Sequence, residues 1–180
     1  MHKGSRKGPF FLSRNPAFLT IPPTQVILET NTVFAKEVVM SNIVVGVIGF
    51  GTVGKGVVKI LLHDRAILEQ RSGCSIELKK IVDLDITTDR GIPLPSGILS
   101  TDMADVMNDP AINVVVEVMG GENAAKKCIE SALSAGKNVV TSNKEVMAKH
   151  GLYFTRLAKE HQCTILYEAA VGGGIPVLHA

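Results

Sequence analysis

The chain has no tryptophan and only 4% aromatic residues, which excludes the aromatic platforms on which single-stranded nucleic acid stacks. Charge of one sign is lacking too. Nineteen Lys and Arg face seventeen Asp and Glu, a net +2 without a basic run, so nucleic acid is not an expected partner. No uninterrupted apolar stretch approaches the length needed to cross a bilayer, so no membrane is expected either. The three cysteines, Cys74, Cys128 and Cys163, are odd in number, far apart and without a C-x-x-C pair. They make neither a disulfide frame nor a zinc site, and read as reduced, mostly buried thiols of a cytoplasmic protein.

What the chain does have is apolar and small. Hydrophobic residues fill 46% and charged residues 20% of 180 positions, with 17 glycines: one globular domain, long enough for a sizeable core. Residues 1 to 41 stand apart. Lys3, Arg6, Lys7 and Arg14 meet no acid before Glu29, and Pro9, Pro16, Pro22 and Pro23 break any helix. Such a segment fits a targeting peptide, although it lacks an apolar central region, or a disordered arm. The third reading takes Met40 as the natural start and what precedes it as upstream extension. The segment is read as disordered or upstream and is given no function.

From residue 42 the pattern alternates. Apolar residues 43–48 form a strand, and Val53, Val57, Ile60, Leu61 and Leu68 recur at helical spacing over 52–70. A second strand runs over 76–83, followed by a turn-rich loop with at most a short strand at 98–99. Thr101 or Asp102 can cap a short helix ending at Met107. Strand 113–118, helix 123–135, strand 137–141, a helix opened by the capping box Ser142-x-x-Glu145, an interruption at His150-Gly151, more helix to about His161, and strand 163–168 complete the order. Strands alternating with helices require a doubly wound parallel sheet, the Rossmann type of α/β fold. The reading divides the chain into a nucleotide-binding domain over 42–168 and a segment over 169–180 that can serve as a hinge between domains.

In such a sheet ligands bind beyond the carboxyl ends of the strands, where the strand order reverses. The first candidate is Gly49-Phe50-Gly51-Thr52-Val53-Gly54, a G-x-G-x-x-G between strand and helix. Gly49 allows the tight turn, Gly51 lets the backbone approach a pyrophosphate, and Gly54 lets the helix pack closely, while the helix N-terminus offers free N–H groups to the phosphates. The bland alternative is an ordinary turn without a ligand.

Asp83 ends the second strand, where an acid accepts hydrogen bonds from the ribose diol of NAD. It lies twenty-nine residues after Gly54, beyond the usual spacing of about 20, as a longer first helix explains. It could instead merely cap a turn, Asp85 is a near alternative, and Arg90 could meet the 2′-phosphate of NADP, which leaves NAD against NADP open. Gly120, in the turn 119–122, lets the nicotinamide end of a cofactor pass, or simply shapes a helix start. Lys144 opposes the dipole of the helix it opens, so it is placed either to hold an oxygen near the nicotinamide or as a solvated surface residue. After Glu168, the glycines at 172–174 expose carbonyls that suit a hard cation or a hinge.

Four segments together resemble the homoserine dehydrogenases: V-G-V-I-G-F-G-T-V-G (45–54), V-V-V-E-V-M-G-G (114–121), G-K-N-V-V-T-S-N-K (136–144) and Y-E-A-A-V-G-G-G-I-P (167–176). The last two carry most of the likeness. The resemblance implies reversible reduction of L-aspartate 4-semialdehyde to L-homoserine with NADPH or NADH, on the way to threonine and methionine, by a homodimer. It implies that Lys144 is catalytic and meets both cofactor and substrate. It also implies a structural sodium ion on Glu168 and the carbonyls of Val171, Gly173 and Ile175. Family members continue into a substrate-binding and dimerisation domain, so the chain is expected to be the cofactor-binding fragment. Competing readings are another amino-acid dehydrogenase, such as an aspartate dehydrogenase, and a non-catalytic nucleotide-sensing module.

Overall fold

The computed structural model describes residues 42–173; the expectations for 1–41, and those for the hinge beyond Gly173, lie outside them. In chain order the elements are β1 (Asn42–Ile48), α1 (Thr52–His63), α2 (Arg65–Ser72), β2 (Ser75–Val82), β3 (Leu99–Ser100), α3 (Ala104–Met107), β4 (Val114–Glu117), α4 (Asn123–Ser134), β5 (Asn138–Thr141), α5 (Lys144–Glu160), β6 (Ile165–Leu166) and α6 (Glu168–Gly172). All strand pairs are parallel, in the order β3-β2-β1-β4-β5-β6.

After Asn42 the first strand is apolar because it is buried on both faces from Val44 on. Val44 and Ile48 join one cluster with the buried residues of α4 and α5, while Val45 and Val47 join another with Val58 of α1. Cover on the α1 face fades across the sheet. Along the row Val47↔Val116 and Val140↔Leu166, exposure rises from 0% at Val47 to 50% at Leu166. At the amino end of the sheet the buried Lys137 ammonium donates to the carbonyls of Asp109 and Ile112, both at 2.7 Å, which ties the turn before β4 to the start of β5.

Four local expectations are corrected. The single helix over 52–70 is two, broken at Asp64, whose backbone leaves helical geometry (φ −101°, ψ 14°). Aspartate competes for its own backbone and suits such a joint. Glu69 then serves α2 twice, pairing with Arg65 at 2.9 Å and accepting from the Ile76 N–H at 2.8 Å. Conversely, His150-Gly151 does not interrupt α5. Packing of Val146, Phe154 and Ala158 overrides the weak propensity of one glycine. Asn143, not Ser142, caps that helix, accepting from the Val146 N–H at 3.2 Å. Finally, Glu168 opens α6 and does not end a strand: β6 pairs with β5 through only two residues before Tyr167 turns away.

Candidate functional site

The strand order reverses between β1 and β4, and a cleft of about 540 Å³ opens beyond their carboxyl ends. Gly49, Gly51, Asp83, Leu84, Asp102, Met103, Met119 and Gly120 are among its lining residues. The glycine turn, Asp83 and the turn after β4, each expected to meet a cofactor, therefore share one space.

Within the glycine turn the three glycines serve different ends. A Cβ on Gly54 would lie 1.9 Å from the Gly49 carbonyl oxygen, and Gly49 sits at φ +102° against the Val118 backbone. A Cβ on Gly51 would meet nothing within 4 Å, so no protein contact demands glycine there and its open side belongs to the cleft. The Gly49 N–H donates to the Val82 carbonyl at 2.8 Å and the Phe50 N–H to Asp83 Oδ2 at 2.5 Å. The N–H groups of residues 51–54 have no acceptor among the described residues. Four free donors at a helix N-terminus form an anion site. Thr52 and Val53 are exposed there, while the Phe50 ring is buried in the core.

Asp83 lines the cleft and Asp85 does not. The hydroxyl and N–H of Thr88 and the hydroxyl of Thr87 hold the Asp85 carboxyl far below the usual carboxylate range. Asp85 also binds Arg90 Nη2 at 3.1 Å, and the guanidinium lies 5.9 Å from the centre of the Phe50 ring. The cleft itself contains two acids and no lysine or arginine among its lining residues.

Lys144 is the first residue of α5, exposed and outside the cleft lining. Of the residues proposed for sodium, Glu168 begins α6, Val171 lies within it and Gly173 follows it in the left-handed conformation, while Ile175 is outside the described residues.

Two groups of residues escaped the sequence reading. Thr101, Asp102 and Met103 reach the cleft because β3 pairs with β2. The second group centres on Glu117, the acid inside V-V-V-E-V, which is wholly buried. Its Oε1 accepts from the Met119 N–H at 2.8 Å and its Oε2 from the Thr141 hydroxyl at 2.5 Å. Burial raises its pKa above the ordinary value despite these donors, and burial with the Glu117 charge pushes the Cys128 thiol up to about 12. A lone acid in an apolar strand was the available signal.

The homoserine dehydrogenase NAD-binding domain family matches residues 49–168, from the first glycine of the turn to Glu168. The chain belongs to that family. It is 43% identical over 139 residues to the homoserine dehydrogenase of Bacillus subtilis, covering 77% of this chain and 32% of the relative. Among solved structures, a homoserine dehydrogenase from Thiobacillus denitrificans is 35% identical with a TM-score of 0.70, over 77% of this chain and 32% of that one. That of Staphylococcus aureus is 32% identical with a TM-score of 0.68, over 74% and 34%. The chain thus spans about a third of the length of the homoserine dehydrogenases it matches, and its Rossmann sheet corresponds to their NAD-binding part.

Proposed function

We propose that this chain supplies the cofactor-binding part of an NAD(P)-dependent homoserine dehydrogenase that interconverts L-homoserine and L-aspartate 4-semialdehyde. The observation that carries the reading is the cleft at the strand-order reversal, lined by Gly49, Gly51 and Gly120, beside N–H groups of residues 51–54 that have no acceptor among the described residues. Gly49 to Gly54 would hold the pyrophosphate, and the nicotinamide, when bound, would supply or accept the hydride. Lys144 polarises the aldehyde oxygen as negative charge develops on it. Asp83 takes the ribose diol, and NAD(H) is preferred over NADP(H): a 2′-phosphate would enter a cleft holding Asp83 and Asp102, while Arg90 is bound to Asp85 outside its lining.

The sodium reading is supported by one orphaned atom. Glu168 Oε1 is buried with no hydrogen-bond partner among the described residues, as suits a carboxylate oxygen that holds a cation. Such an ion, held by Glu168 with the carbonyls of Val171, Gly173 and Ile175, would fix the segment leaving the sheet. A homodimer in the cytoplasm is the setting the family resemblance implies.

Calorimetric titration of the chain with NAD(H) and NADP(H) tests the reading. Binding of both with NAD(H) tighter is expected. A folded chain that binds neither overturns it.

A further inference from the structure

We propose that Glu117, Thr141 and Asn143 form a positioning relay that holds the turn carrying Gly120 against the turn carrying Lys144 and so aligns the nicotinamide end of the cleft. The proposal rests on the cofactor reading above.

The ladder between β4 and β5 ends at the pair Glu117↔Thr141. Beyond it the two chains leave the sheet as separate turns, and backbone pairing no longer fixes one against the other. Side chains take over at that point. The Asn143 N–H donates to Thr141 Oγ1 at 3.0 Å, and that hydroxyl donates its only proton to Glu117 Oε2 at 2.5 Å. Glu117 Oε1 turns back to the Met119 N–H at 2.8 Å. Donors from both turns thus converge on the Glu117 carboxylate, the Lys144 turn through the Thr141 hydroxyl and the Gly120 turn through the Met119 N–H, and the hydroxyl, which accepts from Asn143, directs its one proton to Glu117.

Asn143 closes the circuit. Its Oδ1 caps α5 through the Val146 N–H at 3.2 Å, and its Nδ2 donates to the Gly121 carbonyl at 2.8 Å. The two functions fix which end of the amide is oxygen. They bind the residue preceding Lys144 to the residue following Gly120. Farther out the exposed Lys149 reaches Glu122, but that pair is solvated and weak. Burying a carboxylate among valines costs stability that an apolar pair would not. What the carboxylate gives in return is direction, since two acceptors on one rigid group define the turn geometry where a valine would define none. Glu117 is not itself a lining residue of the cleft and acts on it through Met119 and Thr141, so its role is that of a positioning residue.

The test compares two ligands on the full chain. NADH reaches both turns, whereas ADP-ribose keeps the adenosine and pyrophosphate and lacks the nicotinamide. Asn143→Asp keeps the helix cap but sets a carboxylate oxygen against the Gly121 carbonyl. Thr141→Val removes the hydroxyl at nearly constant shape, and Thr141→Ser restores it. Asn143→Asp and Thr141→Val are each expected to weaken NADH on the order of tenfold, the scale of one lost hydrogen bond, with ADP-ribose affinity unchanged. Thr141→Ser is expected to bind both ligands like the parent. Equal weakening of NADH and ADP-ribose in Asn143→Asp would show general fold support and overturn the proposal, as would unchanged NADH affinity in that variant. If the parent chain binds neither ligand, the cofactor reading fails and the relay falls with it.

Discussion

Asp83 accepts the Phe50 amide proton at 2.5 Å across 33 residues of sequence, so the acid that faces the cleft is also a strut of the glycine turn. Its other oxygen accepts from the Asp85 N–H at 2.9 Å. The carboxylate therefore fixes two loops before any cofactor arrives, and what it offers a ribose is a group already held in place.

Charge and the Phe50 strut can be separated at this position. Asp83→Asn keeps a carbonyl oxygen for the Phe50 N–H and removes the negative charge, while its NH2 gives up the contact with the Asp85 N–H. NAD(H) affinity should fall by about 1–3 kcal/mol, as for a charged hydrogen bond, with a smaller loss for NADP(H) because a repelling charge has gone as well. Calorimetry with both cofactors checks this, and equal losses would remove Asp83 from the ribose site.

Gly51 and Gly54 should respond in opposite ways. Gly51→Val places its side chain in open space, so the melting temperature should hold while NAD(H) binding disappears. Gly54→Ala drives a methyl into the Gly49 carbonyl and should cost several kcal/mol, on the order of an overpacked core, losing fold and binding together. Thermal melts and titrations of the two variants separate a pyrophosphate contact from a packing contact.

The raised pKa of Glu117 has a definite sign. In the unfolded chain the group titrates near its ordinary value of 4.5; in the folded chain it holds its proton to higher pH. Its contribution to stability is fully present below that unfolded value and is lost as pH rises through the folded one. Glu117→Gln should remove this dependence. Urea unfolding across the acid range should show the parent losing stability relative to the variant as pH rises, and parallel curves would mean that Glu117 ionises without penalty.

Lys137 is a stability residue far from the cleft. Lys137→Met leaves the Ile112 carbonyl without its donor and the Asp109 carbonyl with only the Ile112 N–H, and should cost about 1–3 kcal/mol with NAD(H) affinity unchanged. Denaturant unfolding paired with a titration checks both halves, and a cofactor effect would contradict the separation of the two sheet ends.

Much of this was legible in the chain because parallel strands buried on both faces announce themselves as apolar runs, and because G-x-G-x-x-G needs its glycines in sequence order. The Asp64 break and the continuity of α5 through Gly151 were not, since both are decided by what packs against the helix. Asp102 and Met103 join the cleft only through the pairing of a two-residue strand. Glu117 could be seen as an oddity, but its hydroxyl partner lies 24 residues away, and no local spacing rule connects them.

The central place of β1 also bears on how the chain folds. The first of the described strands ends up in the middle, and its pairing with β4 joins Val45 to Val114, so the seam under the cleft closes only after the intervening chain exists. A contact of that sequence separation is slow to form and entropically costly. Gly49 on one side of the seam and Met119 on the other both line the cleft. A dinucleotide bridging them would grip the contact of longest sequence separation among the described strand pairs, and binding there would stabilise the folded chain increasingly as ligand concentration rises.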